Sequence, residues 1–252
     1  MKVLAIIPAR YASTRFPGKP LALLGGRTII EHVWQRVSGT AAVDRAIVAT
    51  DDDRIMQAVA AFGGEAMMTS SHHQSGTDRC GEVTMSLENK GERYDIVINV
   101  QGDEPFIEPS QIEALIDCFA HSGTEIATLK TLIHSDEELL SPNNVKVVCA
   151  DDGKALYFSR LPIPYLRNKA EGPCVEQTEY YKHVGIYAFR AETLKAVFRL
   201  QPGRLEQCEK LEQLRWLEAG YCIEVRTTQH ANIGIDTPDD LVAAEKVIKN
   251  RN

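Results

Sequence analysis

At 252 residues the chain can bury a substantial core, and its 44% hydrophobic and 25% charged content is ordinary for a globular protein. A formal net charge of −7 excludes nucleic acid as the expected partner, so any anion must be met by a local cationic cluster. No apolar run reaches the roughly 18 residues of a membrane span, and the opening MKVLAIIPAR lacks a small-residue cleavage pattern, so no membrane partner and a cytoplasmic location are expected.

The elements follow in order. VLAIIPA reads as a strand and TIIEHVWQRV as a helix; RAIVAT precedes the helical DDDRIMQAVAAF, and EAMMT precedes TDRCGEVTMSL. YDIVINVQGDEP is a strand with its exit loop, and SQIEALIDCFA is a helix for which Pro109 and Ser110 suit the start. After residue 124 come the strand-like EIATLKTLI, VKVVCAD, KALYFSR and HVGIYAFR, then helices at AETLKAVFRL and CEKLEQLRWLEAG. The strand YCIEVRTT and the helix TPDDLVAAEKVIKN close the chain. This alternation predicts an α/β fold with a Rossmann-like, mostly parallel sheet, helices on both faces, and a smaller antiparallel excursion in the second half. One domain, 1–252, is expected, with a nucleotide-binding half of about 1–124 and a second half of about 125–252. Segment 166–181 reads as a mobile loop. Cys80, Cys118, Cys149, Cys174, Cys208 and Cys222 are scattered without C-x-x-C spacing and read as buried, reduced thiols.

Ligands of open parallel sheets bind outside the carboxyl ends of the strands, so residues just after each strand form one set. After the first stand Arg10, Ser13, Arg15 and Lys19; after the second, Thr50 and Asp51. His72, Gln74, Ser75 and Gly76 follow the third, and Gln101, Gly102 and Asp103 the fourth. Two guanidiniums, an ammonium and glycine-flanked amides suit phosphate oxygens. The loop is not a P-loop, because Lys19 is followed by Pro20, and no G-x-G-x-x-G occurs. Asp103 in NVQGDEP and Asp236 in GIDTPDD are candidate magnesium ligands, since magnesium takes one or two carboxylates plus phosphate oxygens and water. Each has a rival role as a helix cap.

The stretches IPARYASTRFPGKPL, HQSGTDR, NVQGDEP, NNVKVV, ALYFSR, HVGIYAFR, LEQLRWLEAG and GIDTPDDL fall in order from residue 7 to residue 241. Together they resemble the 3-deoxy-manno-octulosonate cytidylyltransferases, or CMP-Kdo synthetases, of the nucleotidyltransferase superfamily. The resemblance implies transfer of CMP from CTP to the anomeric hydroxyl of Kdo with release of pyrophosphate, and activation of Kdo for lipopolysaccharide biosynthesis. It also implies a nucleotide-diphospho-sugar transferase-like fold, a homodimer, and Mg2+ on Asp103 and Asp236. Arg10, Arg15 and Lys19 would hold the triphosphate, assisted by Ser13, and Lys19 and Arg10 would stabilise the reacting phosphate. Ser75 and Gly76 would lie against cytosine, and Gln101 and Asp103 would border the nucleotide. Arg160 would pair with the Kdo carboxylate, and Gln101, His183, Tyr187, Glu212 and Gln213 would bind its hydroxyls. His183 and Tyr187 alternate along a strand and have a rival reading as core. Phe16 departs from the leucine common in the family.

Overall fold

The structure, a computed structural model, describes residues 1–12, 15–230 and 233–251. Eleven strands are seen among them: β1 (Val3–Ala9), β2 (Leu23–Leu24), β3 (Arg27–Thr28), β4 (Arg45–Thr50), β5 (Ala66–Met68), β6 (Ile96–Asn99), β7 (Ile126–Leu132), β8 (Lys146–Cys149), β9 (Ala155–Ser159), β10 (Tyr181–Arg190) and β11 (Ile223–Thr227). The α-helices are α1 (Ile29–Ser38), α2 (Asp53–Ala61), α3 (Gly76–Asn89), α4 (Pro109–Asp117), α5 (Asp136–Leu140), α6 (Ala191–Val197), α7 (Arg204–Glu209), α8 (Gln213–Glu218) and α9 (Pro238–Arg251).

The main sheet runs β11-β7-β10-β6-β1-β4-β5, and β8 and β9 branch from β10. Strands β6, β1, β4 and β5 are parallel, β10 is antiparallel to both β6 and β7, and β11 is parallel to β7. The antiparallel excursion expected from the sequence is therefore β8 and β9, tied to the main sheet where Lys182 faces Lys146. Strand periodicity sorts β1 between two cores. Val3, Ala5, Ile7 and Ala9 face Val33 and Val37 of α1, Ile55 and Val59 of α2, and Ile112 and Leu115 of α4. Leu4 and Ile6 face Cys80, Val83 and Leu87 of α3, Leu194 and Val197 of α6, and Leu214 and Trp216 of α8. A satellite core of Leu24, Ile29, Phe106, Ile235 and Ala244 lays α9 against the β2–β3 hairpin.

Two sequence expectations are corrected. CEKLEQLRWLEAG is not one helix: the chain breaks at Lys210, which adopts φ 55°, and resumes as α8. The cysteines are not all buried; no disulfide forms among the described residues, but Cys208 and Cys222 are exposed. Segment 166–181 is anchored to the start of α5, where the Asp136 carboxylate accepts from the Cys174 and Val175 amides.

Candidate active site

The exits of β1 and β6 and the N-terminus of α3 meet in one open cleft. Its lining includes Arg10, Arg15, Lys19, Ser75, Gly76, Gln101, Asp103 and Asp236. The opening loop is folded rather than loose. Gly18, at φ 71°, starts a short 3-10 turn over Lys19–Leu21, and its amide donates to the Tyr11 carbonyl at 2.9 Å. A Cβ at Gly18 would press on the Tyr11 ring at 3.1 Å, and the Arg54 guanidinium covers that ring, 3.3 Å from its centroid. The turn sends the Lys19 side chain inward, where only 12% of it remains exposed.

There Lys19 joins the two carboxylates. Its Nζ lies 2.6 Å from Asp103 Oδ2 and 3.1 Å from Asp236 Oδ1, while the Arg15 guanidinium reaches Asp236 Oδ2 at 3.1 Å. Asp103 follows β6 on a turn that needs Gly102, because a Cβ there would stand 2.6 Å from the Pro8 carbonyl oxygen. Asp236 arrives from the other end of the chain, held by the Ile235 amide donating to the Asp103 carbonyl at 3.0 Å. Neither is a helix cap. Helix α4 is capped at Glu108. At the start of α9, Asp240 accepts from the amides of Asp236 and Thr237 and donates its own amide to the Thr237 hydroxyl.

Arg10 is exposed at the cleft and makes no ion pair among the described residues. Ser13 lies outside the described residues. Ser75 caps α3 in a reciprocal box with Asp78, so the helix N-terminus opens onto the cleft. Gly76 packs its backbone against Pro8, which a Cβ would meet at 3.2 Å.

Of the six residues implied for the sugar, Gln101 lines the cleft. Glu212 stands at its back, where its two oxygens accept from the Ser75 and Thr77 hydroxyls, each at 2.8 Å. Burial pushes its carboxyl up, opposed by those two hydroxyls and by Arg215. Tyr187 is buried among Trp216, Phe189 and His183, and Gln213 is buried as the first residue of α8. His183 packs on Phe158 and Tyr187, and its Nε2 lies 2.9 Å from the Thr128 hydroxyl. Burial pushes its imidazole down to about 3, so it is neutral. The Arg160 guanidinium rests on the carbonyls of Glu209, Pro142 and Lys210.

Sequence reasoning missed Arg79 and His73, both in the cleft lining. Arg79 is 4% exposed and bonds Asp51 Oδ2 at 2.6 Å and the Thr69 hydroxyl at 2.7 Å. His73 pairs with Glu82. Both belong to or adjoin HQSGTDR, but nothing in their local pattern separates a lining residue from a surface one. Glu104 was missed as well. Burial, then the charges of Asp103 and Asp236, push its carboxyl up to about 8, and its Oε2 is buried without a hydrogen-bond partner among the described residues.

No cluster of three or more His, Cys, Asp or Glu ligands forms among the described residues. Asp103 and Asp236 nonetheless fit magnesium, because two oxygen donors already converge on one cation and phosphates and water supply the remainder of its shell. Among the described residues no helix is long and apolar enough to cross a membrane.

A family profile described as cytidylyltransferase matches residues 4–227. A relative in Phocaeicola vulgatus named 3-deoxy-manno-octulosonate cytidylyltransferase is 53% identical, covering 100% of this chain and 99% of its own. One of the same name in Bacteroides thetaiotaomicron is 52% identical, covering 100% of both. A solved CMP:2-keto-3-deoxy-manno-octonic acid synthetase complexed with CTP superposes with a TM-score of 0.91 at 43% identity, covering 100% of both chains. A 4-diphosphocytidyl-2C-methyl-D-erythritol synthase from Anaerococcus prevotii, at 15% identity and TM-score 0.60, covers 98% of this chain and 96% of its own and shares the fold. The chain is a nucleotidyltransferase and belongs to the 3-deoxy-manno-octulosonate cytidylyltransferases of the cytidylyltransferase family.

Proposed function

We propose that this chain transfers CMP from CTP to the anomeric hydroxyl of Kdo, releasing pyrophosphate, and thereby activates the sugar for lipopolysaccharide assembly. The observation that carries the site assignment is the convergence of Lys19, Arg15, Asp103 and Asp236 at one cleft that the α3 N-terminus also faces.

In this reading Arg10, Arg15 and Lys19 bind the triphosphate, with Ser13 assisting, and Ser75 and Gly76 read the base. Reading the cytosine amine through polar groups rejects uracil, because the wrong edge leaves a buried polar group unpaired. Direct attack at the α-phosphorus asks the protein mainly for alignment and charge stabilisation. Lys19 and Arg10 would supply cationic donors where negative charge develops. Asp103 and Asp236 would hold magnesium, which when bound neutralises phosphate charge and lowers the pKa of a ligated hydroxyl. Lys19, now between the two carboxylates, would then turn toward the phosphates.

For the sugar, Gln101, which lines the cleft, would make a direct contact. Arg160 would exchange its three carbonyls for the substrate carboxylate, a bidentate charge-assisted bond being roughly twice as strong as a neutral one. His183, Tyr187, Glu212 and Gln213 are assigned to the same side. A homodimer and a cytoplasmic location complete the proposal.

The test is a product assay. Purified protein with CTP, magnesium and a panel of acidic sugars should release pyrophosphate with Kdo and form CMP-Kdo, with UTP a poor donor. Turnover with another sugar in preference to Kdo would overturn the assignment of substrate.

A further inference from the structure

A line of directional hydrogen bonds runs from Glu212 to the cleft. Thr77, 2% exposed, donates its hydroxyl to Glu212 Oε2 at 2.8 Å. Asn99, 1% exposed, donates from Nδ2 to the Thr77 oxygen at 3.3 Å. Gln101 donates from Nε2 to Asn99 Oδ1 at 3.5 Å. With Glu212 ionised, each step has one sense. Both Glu212 oxygens receive hydroxyl donors, Ser75 on one and Thr77 on the other, which is the pattern of an ionised, acceptor-only carboxylate. The N-terminus of α3 beside it favours that charge. Thr77 has one proton, and it is spent on Glu212. Its oxygen therefore accepts from Asn99, which must turn its amide nitrogen to Thr77 and its oxygen to Gln101. Gln101 is thereby left to donate to Asn99 and to keep its own Oε1 for the cleft.

We infer that Glu212, Thr77 and Asn99 are positioning residues that fix the amide of Gln101 with its carbonyl oxygen toward the substrate, so that Gln101 acts as a hydrogen-bond acceptor for a sugar hydroxyl. This rests on the proposed sugar side of the cleft. It also gives Glu212 a task that its buried place on the Ser75 and Thr77 hydroxyls allows without direct contact with substrate. A free Gln101 amide would present either end, and a hydroxyl would meet an acceptor only in the fraction of molecules oriented correctly.

Thr77→Val is nearly isosteric and removes the hydroxyl, while Thr77→Ser keeps it; Ser75 still holds the other Glu212 oxygen in both. The expected result for Thr77→Val is a rise of about tenfold or more in the KM for Kdo with the KM for CTP within about threefold, and near-normal constants for Thr77→Ser. Nuclear magnetic resonance of the Gln101 side-chain amide supplies a readout independent of turnover: slowed proton exchange in the unmodified protein and in Thr77→Ser, lost in Thr77→Val. The inference is overturned if Thr77→Val shifts both KM values together or neither, or if the Gln101 amide exchanges alike in all three proteins. Failure of the unmodified protein to form CMP-Kdo would instead sink the assignment of function, and the amide exchange would still decide the inference.

Discussion

Lys19 sits at 2.6 and 3.1 Å from the two carboxylates, so on the proposed reading its removal would act twice: the phosphates would lose a donor, and Asp103 and Asp236 would lose the charge between them. Lys19→Ala is expected to lower kcat about a hundredfold or more with the fold intact, the magnitude of one lost donor to developing charge. Steady-state kinetics beside a thermal melt checks this, and unchanged turnover would return the loop to a solvated cationic surface. A second residue-scale expectation concerns acid. The His183 imidazole is held down at about 3 by burial, whereas in the unfolded chain it titrates near its ordinary value of about 6.5. Below that value the unfolded state binds a proton that the native state refuses. The stability this group contributes is complete above pH 6.5 and is lost as pH falls toward 3. Urea midpoints near pH 8 and near pH 5 should therefore converge more in His183→Phe than in the unmodified protein. Equal losses in both would assign the acid sensitivity to other groups.

Secondary elements were legible where their pattern was local. Val3–Ala9 is a continuous apolar run bounded by charge and Arg45–Thr50 encloses the apolar run 46–49, and both are strands over those residues. The sequence pattern began the third helix at Thr77, one residue inside α3, whose start is set by the Ser75–Asp78 capping box. The break at Lys210 was not legible, because a helical apolar period continues straight through it. What interrupts the helix is tertiary: the Glu209 and Lys210 carbonyls turn to the Arg160 guanidinium, and the Glu209 carboxylate to Ser159 and the Arg160 amide. Lys210 pays for this with a left-handed backbone, at φ 55°. Lys210→Gly should relieve that strain and stabilise the protein by about 0.5–1 kcal/mol, measured by urea unfolding. Destabilisation would mean that the lysine side chain contributes more than its backbone costs.

For the whole molecule, the sequence disclosed which residues leave the strand ends but not how distant segments close on them. Arg10, Lys19 and Asp103 follow apolar runs and were found by that rule. Asp236 was found as an acidic turn; that it meets Lys19 follows from α9 lying on the β2–β3 hairpin. Arg160 and Tyr187 show the opposite limit, since side-chain direction at a strand end depends on carbonyls and rings contributed by other elements. The satellite core makes the closure testable. Ile235 is fully buried there, and Ile235→Ala should cost about 2–5 kcal/mol of stability. At temperatures where the variant remains folded, kcat should fall further than stability alone explains, because Asp236 is the next residue. A stability loss with normal kcat would show that Asp236 keeps its place by other means.

The bond between Lys19 and Asp236 joins positions 217 residues apart. On the ribosome, the cationic loop therefore emerges near the beginning of synthesis and meets its second carboxylate only after the sheet strands have all been made. A polypeptide released early, even one ending just after β11, would carry Arg10, Lys19 and Asp103 but lack Asp236. Such a fragment retains the cationic groups while missing half of the acidic pair that faces them. If Asp236 is the metal ligand proposed above, a chain ended just after β11 would lack it and would not turn over.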